Sequence, residues 1–173
     1  TSGNEEEILI FIVGIGGSGK SLLVNILSLI FGSHKIADLK IRDMNTSHGT
    51  ASLVGKQINI VRDSDDTLVE NMAILKQLSG NDDLQVNPKN RPHTIIPNKE
   101  VAKIIVMANE IPAFKKLDDA FIDRLVFIEF LHKFRGTTKE DKSLLSLISN
   151  DSNSIEKLIF ESLNAYKAKK RAG

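Results

Sequence analysis

Apolar positions change period several times along the chain, and each change marks an element. Ile8–Val13 (Ile-Leu-Ile-Phe-Ile-Val) is an unbroken β-favouring run, the pattern of a parallel strand buried on both faces. From Gly19 to Phe31 the apolar residues fall at Leu22, Leu23, Ile26, Leu27 and Ile30, a helical spacing that Gly32 ends. His34–Arg42 has room for a short strand, and Ser47–Val54 reads as a short helix stopped by Gly55. Gln57–Arg62 is a second strong strand that runs into acids, and Leu68–Leu78 is helical up to Ser79-Gly80-Asn81. Leu84–Asn87 and His93–Ile96 are short β-like runs flanking Pro88-Lys89-Asn90-Arg91-Pro92, which predicts a β-hairpin with a basic tip. Val101–Ala108 and Leu125–Phe130 are the third and fourth strong strands. The tail from Thr138 is helical, with a break near Ser149–Ser154. Strands alternating with helices predict an α/β fold: a mostly parallel sheet flanked by helices, plus a small helical C-terminal appendage.

Composition narrows the chemistry. At ~150 residues per domain, 173 residues make one domain. The chain has no cysteine, which removes disulfide frameworks, thiolate metal sites and cysteine nucleophiles. His34, His48, His93 and His132 stand too far apart in sequence to form a local metal-ligand pair. No apolar run approaches the ~20 residues of a membrane span. Ile8–Val13 follows Glu5-Glu6-Glu7 and not a basic leader, so it is not read as a signal peptide. A cytoplasmic location with no membrane partner is the expectation. Residues 1–7 read as a cloning scar or linker, 8–135 as the core, and 136–173 as the helical C-terminal segment.

One motif carries strong chemistry. Gly14-Ile-Gly-Gly-Ser-Gly19-Lys20-Ser21 fits G-x-x-x-x-G-K-[ST] and lies directly between an apolar strand and an amphipathic helix. Glycines let successive backbone N–H groups face a phosphate, and the helix N-terminus adds partial positive charge. Gly14, Gly16, Gly17, Ser18, Gly19, Lys20, Ser21 and Leu22 are therefore the expected nucleotide-binding residues. Lys20 would reach the β- and γ-phosphates of ATP, and Ser21 would ligate Mg²⁺.

Such a loop needs a carboxylate on a neighbouring strand. Ile58–Arg62 leads into Asp63, Asp65 and Asp66. Asp63 is the candidate metal and water-activating residue and Asp65 its companion, although Asp65 or Asp66 could equally cap the next helix. Asn109 ends the third strand, where it could position the attacking water or simply form a turn before Pro112. Arg124 enters the fourth strand, where it could stabilise transition-state charge on another subunit's nucleotide or pair with Asp118, Asp119 or Asp123.

In this order the pieces resemble the superfamily 3 helicases, a P-loop NTPase group of AAA+ type, and among them the helicase part of phage-, plasmid- and poxvirus-type primase-helicases. Residues 8–135 carry the likeness. It rests on Gly14–Ser21, Leu53–Asp63, Leu75–Asp82, Met107-Ala-Asn-Glu-Ile-Pro112 and Asp118–Phe130 in combination. The resemblance implies catalytic roles for Lys20, Asp63 with Asp65, Asn109 and Arg124, the last acting in trans. It also implies a homo-oligomeric (hexameric) ring, single-stranded or forked DNA as partner, and a primase fused or associated. The chain departs from the family in having Asp63 where Glu is commoner, and Asp123-Arg124 where two arginines are common.

Net charge is +1, too even to suggest nucleic acid on its own. Locally it is uneven: residues 63–83 hold six acids and one base, and residues 85–135 hold nine bases and six acids. Lys89 and Arg91 are the candidate nucleic-acid contacts, since in a ring their hairpins would converge on one axis. Two other classes remain: a P-loop nucleotide or small-molecule kinase, and a nucleotide-gated DNA-binding assembly module with weak catalysis.

Overall fold

The computed structural model describes residues 6–44, 46, 48–62, 68–69, 72–86, 94–114 and 117–172. Five parallel strands form the central sheet: β1 (Leu9–Gly14), β2 (Ile36–Ala37), β3 (Ile58–Val61), β7 (Lys103–Ala108) and β9 (Leu125–Phe130). Their order is β2-β3-β7-β1-β9. Two small accessory sheets pair β4 (Leu68–Val69) with β8 (Ala113–Phe114) in parallel, and β5 (Leu84–Val86) with β6 (Thr94–Ile96) antiparallel. The helices are α1 (Lys20–Phe31), α2 (Ile41–Met44), α3 (Met72–Ser79), α4 (Asp119–Ile122), α5 (Leu144–Asn150) and α6 (Ser152–Ala172).

The unbroken apolar run in β1 is explained by cover on both sheet faces. Leu9, Phe11 and Val13 join Val61, Val106, Phe121 and the α3 residues Leu75 and Leu78 in one core. Ile12 joins Val24 of α1, Ile60 and Ile105 on the opposite face. Phe11 is fully buried and stacks on Phe127 with centroids 5.3 Å apart. Truncating such a ring to alanine costs about 3–5 kcal/mol.

The short segments depart from the sequence pattern where tertiary contacts take over. Asn59, fully buried in β3, accepts from Leu39 N at 2.8 Å and donates to Leu39 O at 3.0 Å. Its amide replaces backbone pairing there, so the strand expected within His34–Arg42 shrinks to two residues, followed by the single turn of α2. The helix expected over Ser47–Val54 is a 3₁₀ turn at Thr50–Leu53. Leu68 and Val69 leave the expected helix to pair with β8, and α3 starts at Met72. The hairpin arms β5 and β6 pair as the sequence predicts, while Lys89 and Arg91 between them lie outside the described residues. Among the described residues no helix is long and apolar enough to cross a membrane.

Candidate functional site

The sheet order brings the distant pieces of the site together. β7 lies between β1 and β3, with Val13 opposite Ala108 in register. Asn109, the residue after β7, therefore stands beside the loop that follows β1. Lys20, at the first turn of α1, is 8% exposed, and its ammonium donates to Gly14 O, to Ile15 O at 3.2 Å and to Asn109 Oδ1 at 3.3 Å. The expected lysine and the expected strand-end asparagine are in contact across 89 residues of sequence.

The loop is shaped as a cradle. Gly17 has φ +82°, a conformation L-residues seldom adopt, and a Cβ there would come within 2.5 Å of Arg135 Cβ. Gly19, at φ +99°, turns the chain into α1. Ser18 is buried, and its hydroxyl meets no hydrogen-bond partner among the described residues. A buried hydroxyl without a partner costs free energy unless a ligand or water satisfies it. Donor-rich backbone, an ammonium and an unsatisfied hydroxyl together fit a phosphate tail. Ser21 is solvent-exposed at the mouth, where a metal-ligating hydroxyl would be accessible. Asp63 and Asp65 lie outside the described residues.

A cleft of about 840 Å³ opens above the loop, within the range of a nucleotide-sized pocket. Residues 16–22 and Asn109 form its floor. Its far wall escaped the sequence reading: Phe130, Phe134, Arg135, Lys139, Leu144 and Leu145. Phe134 N and Arg135 N both donate to Gly17 O, at 2.9 and 3.1 Å, and α5 packs on α1. The chain after β9 thus returns over the glycine cradle. The one sequence signal for this wall is the Phe130-to-Phe134-Arg135 spacing after the last strand, which says nothing about Gly17 more than a hundred residues earlier.

Arg124 is at the other end of the sheet. It precedes β9, whose six residues span about 20 Å to the cradle end. Its guanidinium pairs with Glu7 at 3.0 Å and donates to Lys76 O at 3.2 Å. The sequence pattern offered Asp118, Asp119 or Asp123 as pairing partners; the structure gives Glu7 instead. Asp118 pairs with Lys76 and accepts from Phe121 N at 3.0 Å as the N-cap of α4. Those two bonds, the Lys76 one first, hold its carboxyl below the ordinary range.

A family model covers residues 12–124: "Family of unknown function (DUF5906)". The chain belongs to this family. No curated protein matches it. Among solved structures it is similar to the apo A form of the NrS-1 C terminal region (22% identity, TM-score 0.68, 86% of this chain and 34% of that one). A second apo structure of that region matches with 22% identity, TM-score 0.64, 86% of this chain and 35% of the other. JCV Helicase, solved with a thiazolopyridine acetamide ligand, matches at 12% identity and TM-score 0.50, over 86% of this chain and 44% of that one. These likenesses establish a shared fold, an α/β core with a parallel sheet. The chain spans about a third of the length of the NrS-1 structures.

Proposed function

We propose that this chain is the ATP-hydrolysing motor module of a DNA helicase or translocase of viral or plasmid replication, working at the subunit interfaces of a ring. The observation that carries the ATPase reading is the Lys20–Asn109 contact inside the glycine cradle, with the Ser18 hydroxyl left for a ligand. The fold shared with JCV Helicase supports the motor class. The likeness of residues 8–135 to superfamily 3 helicases supports the DNA partner and the ring.

Each residue then has a task. The cradle N–H groups and Lys20 bind the β- and γ-phosphates, neutralising charge that builds as the γ-phosphate leaves. Asn109, already against Lys20, orients the attacking water. Asp63, with Asp65, accepts its proton. Mg²⁺, held by Ser21 and Asp63, would supply a positive centre for the β- and γ-oxygens. Phe134 and Leu144 offer an apolar wall for the base and keep water from that side. Arg124 stands too far along β9 to serve its own cradle, so it acts on a neighbour's nucleotide. Lys89 and Arg91 grip the DNA backbone, and a primase, fused or associated, supplies primers.

ATP turnover measured with and without single-stranded DNA tests this reading. Wild type hydrolyses ATP faster with DNA, and Lys20→Ala removes the activity. Turnover stimulated instead by a nucleoside monophosphate would make the protein a kinase.

A further inference from the structure

The longest helix leaves its apolar side open. α6 runs for 21 residues, about 31 Å, and packs on α5. Ile155, Leu158, Ile159, Leu163 and Tyr166 fall on one face of it, a single apolar stripe. Ile155 is half-buried, but Leu158, Ile159, Leu163 and Tyr166 are 42%, 36%, 51% and 44% exposed. The Tyr166 hydroxyl donates to Glu6 at 3.0 Å and holds the far end of α6 near the start of β1. Helices in water draw most of their stability from burying such a face, so the stripe needs a cover.

The charges beside the stripe select that cover. Lys157 and Glu161 pair with each other at 4.0 Å. Glu156 and Lys167 enter no ion pair among the described residues. At 3.6 residues per turn these two stand about 20° apart around the helix, three turns from each other, so they flank the stripe on the same side. Residues 167–171 hold four bases and no acid. A second α6 laid parallel would set those bases against each other, and like charges repel. Laid antiparallel, it sets Glu156 of one copy against Lys167 of the other, twice by symmetry. The same register puts Leu158 opposite Ala165, a large side chain against a small one. One helix pair of this length is small beside the ~1,200 Å² of a stable interface, so the association is reversible.

We infer that the apolar stripe of α6 is an interface between two copies of this chain, paired antiparallel about a two-fold axis near Glu161 and Ser162, with Glu156 and Lys167 as its reciprocal ion pairs. Among the described residues none of α6 lines the cleft above the glycine loop. The contact therefore needs neither nucleotide nor DNA, and it stands or falls separately from the motor reading.

Light scattering of the whole chain across a concentration series, without nucleotide or DNA, tests it. Wild type shows a reversible monomer–dimer midpoint. Glu156→Lys and Lys167→Glu each raise that midpoint about three- to thirty-fold, since either reversal breaks both symmetric pairs. The double variant Glu156→Lys with Lys167→Glu restores it, because the charges are exchanged and still complementary. Leu158→Asp raises it by more than about a hundred-fold, since two copies of the leucine lose their burial. Circular dichroism at a concentration where wild type is monomeric shows that each variant keeps its helices. A wild type that stays monomeric throughout overturns the inference, and the stripe then covers the chain's own sheet edge or receives another protein. Self-association that none of the four variants alters overturns it as well. A double variant as weak as the single ones overturns the antiparallel pairing.

Discussion

The two ends of the β1–β9 pair hold cations in opposite ways. At the C-terminal end, the Lys20 ammonium sits in the glycine loop and donates to Gly14 O, Ile15 O and Asn109 Oδ1. At the N-terminal end, Arg124 and Lys76 face full carboxylates. The first is a cradle of backbone and amide groups around one lysine, and the second a set of partly solvated ion pairs, a weak kind of interaction. A strand of six residues separates the two.

The largest effects come from breaking each end separately and then combining the halves. Lys20→Ala and Arg124→Ala should each lower turnover by about 10³-fold, the scale attached to a positioned arginine on a transferring phosphoryl group. Each variant leaves the opposite end intact. Mixing the two inactive proteins should therefore restore part of the activity, because the intact Arg124 of one copy meets the intact cradle of the other. A mixture as inactive as its components would place both ends in one chain's chemistry and remove the contrast between them.

Nucleic-acid affinity is next in size. Lys89→Ala with Arg91→Ala should weaken single-stranded DNA binding and flatten its salt dependence, by about one unit of log–log slope for each phosphate no longer neutralised. ATP binding should be unchanged. Unaltered DNA affinity across a salt series would return these two residues to solvent exposure. A smaller effect is expected at Gly17. Alanine there must adopt φ +82° and push against Arg135, which costs about 1–3 kcal/mol of strain. Nucleotide affinity should fall about ten-fold while DNA binding holds. Calorimetric titration with ATP analogue checks this, and an unchanged affinity would show that the wall over the cradle does not contribute.

The contrast between the ends also explains what the sequence revealed. The shape of the glycine loop was legible because it is local: eight consecutive residues between a strand and a helix specify it. Three of the four strong strands, β1, β3 and β7, were legible because burial on both faces favours an apolar run; β9 carries such a run too, although its middle residues are exposed at the sheet edge. Asn109 could be named as a candidate, but its contact with Lys20 depends on β7 lying next to β1, and strand order is not written in any one segment. Phe134 and Arg135 were missed for the same reason, since they reach Gly17 only after the chain has crossed the whole sheet. Arg124 was marked correctly as a charged entry to a strand, yet its partner is Glu7, in a stretch that read as a scar or linker. Ion pairs between segments depend on which ends the sheet collects, so local sequence suggested nearer acids. At Asn59 a polar residue inside an apolar strand hinted at something unusual, and only its clamp on Leu39 shows why β2 is short.

The smallest effect expected is a titration. Asp118 is held below the ordinary carboxylate range by Lys76 and by the Phe121 N–H. A depressed folded-state pKa means that its stabilising contribution is complete above the ordinary Asp value. That contribution is lost as pH falls through the lower folded value. Acidification should therefore loosen the Lys76–Asp118 pair at a pH below the one where free aspartates titrate. Asp118→Asn should remove that part of the acid dependence while Lys20, at the other end of the sheet, keeps its contacts. Following the Asp118 side-chain carbon by NMR across the acid range tests this directly. A midpoint at the ordinary Asp value would mean that Lys76 does not hold the carboxylate in solution. In that case the two ends of the sheet would differ less than the ion pairs imply.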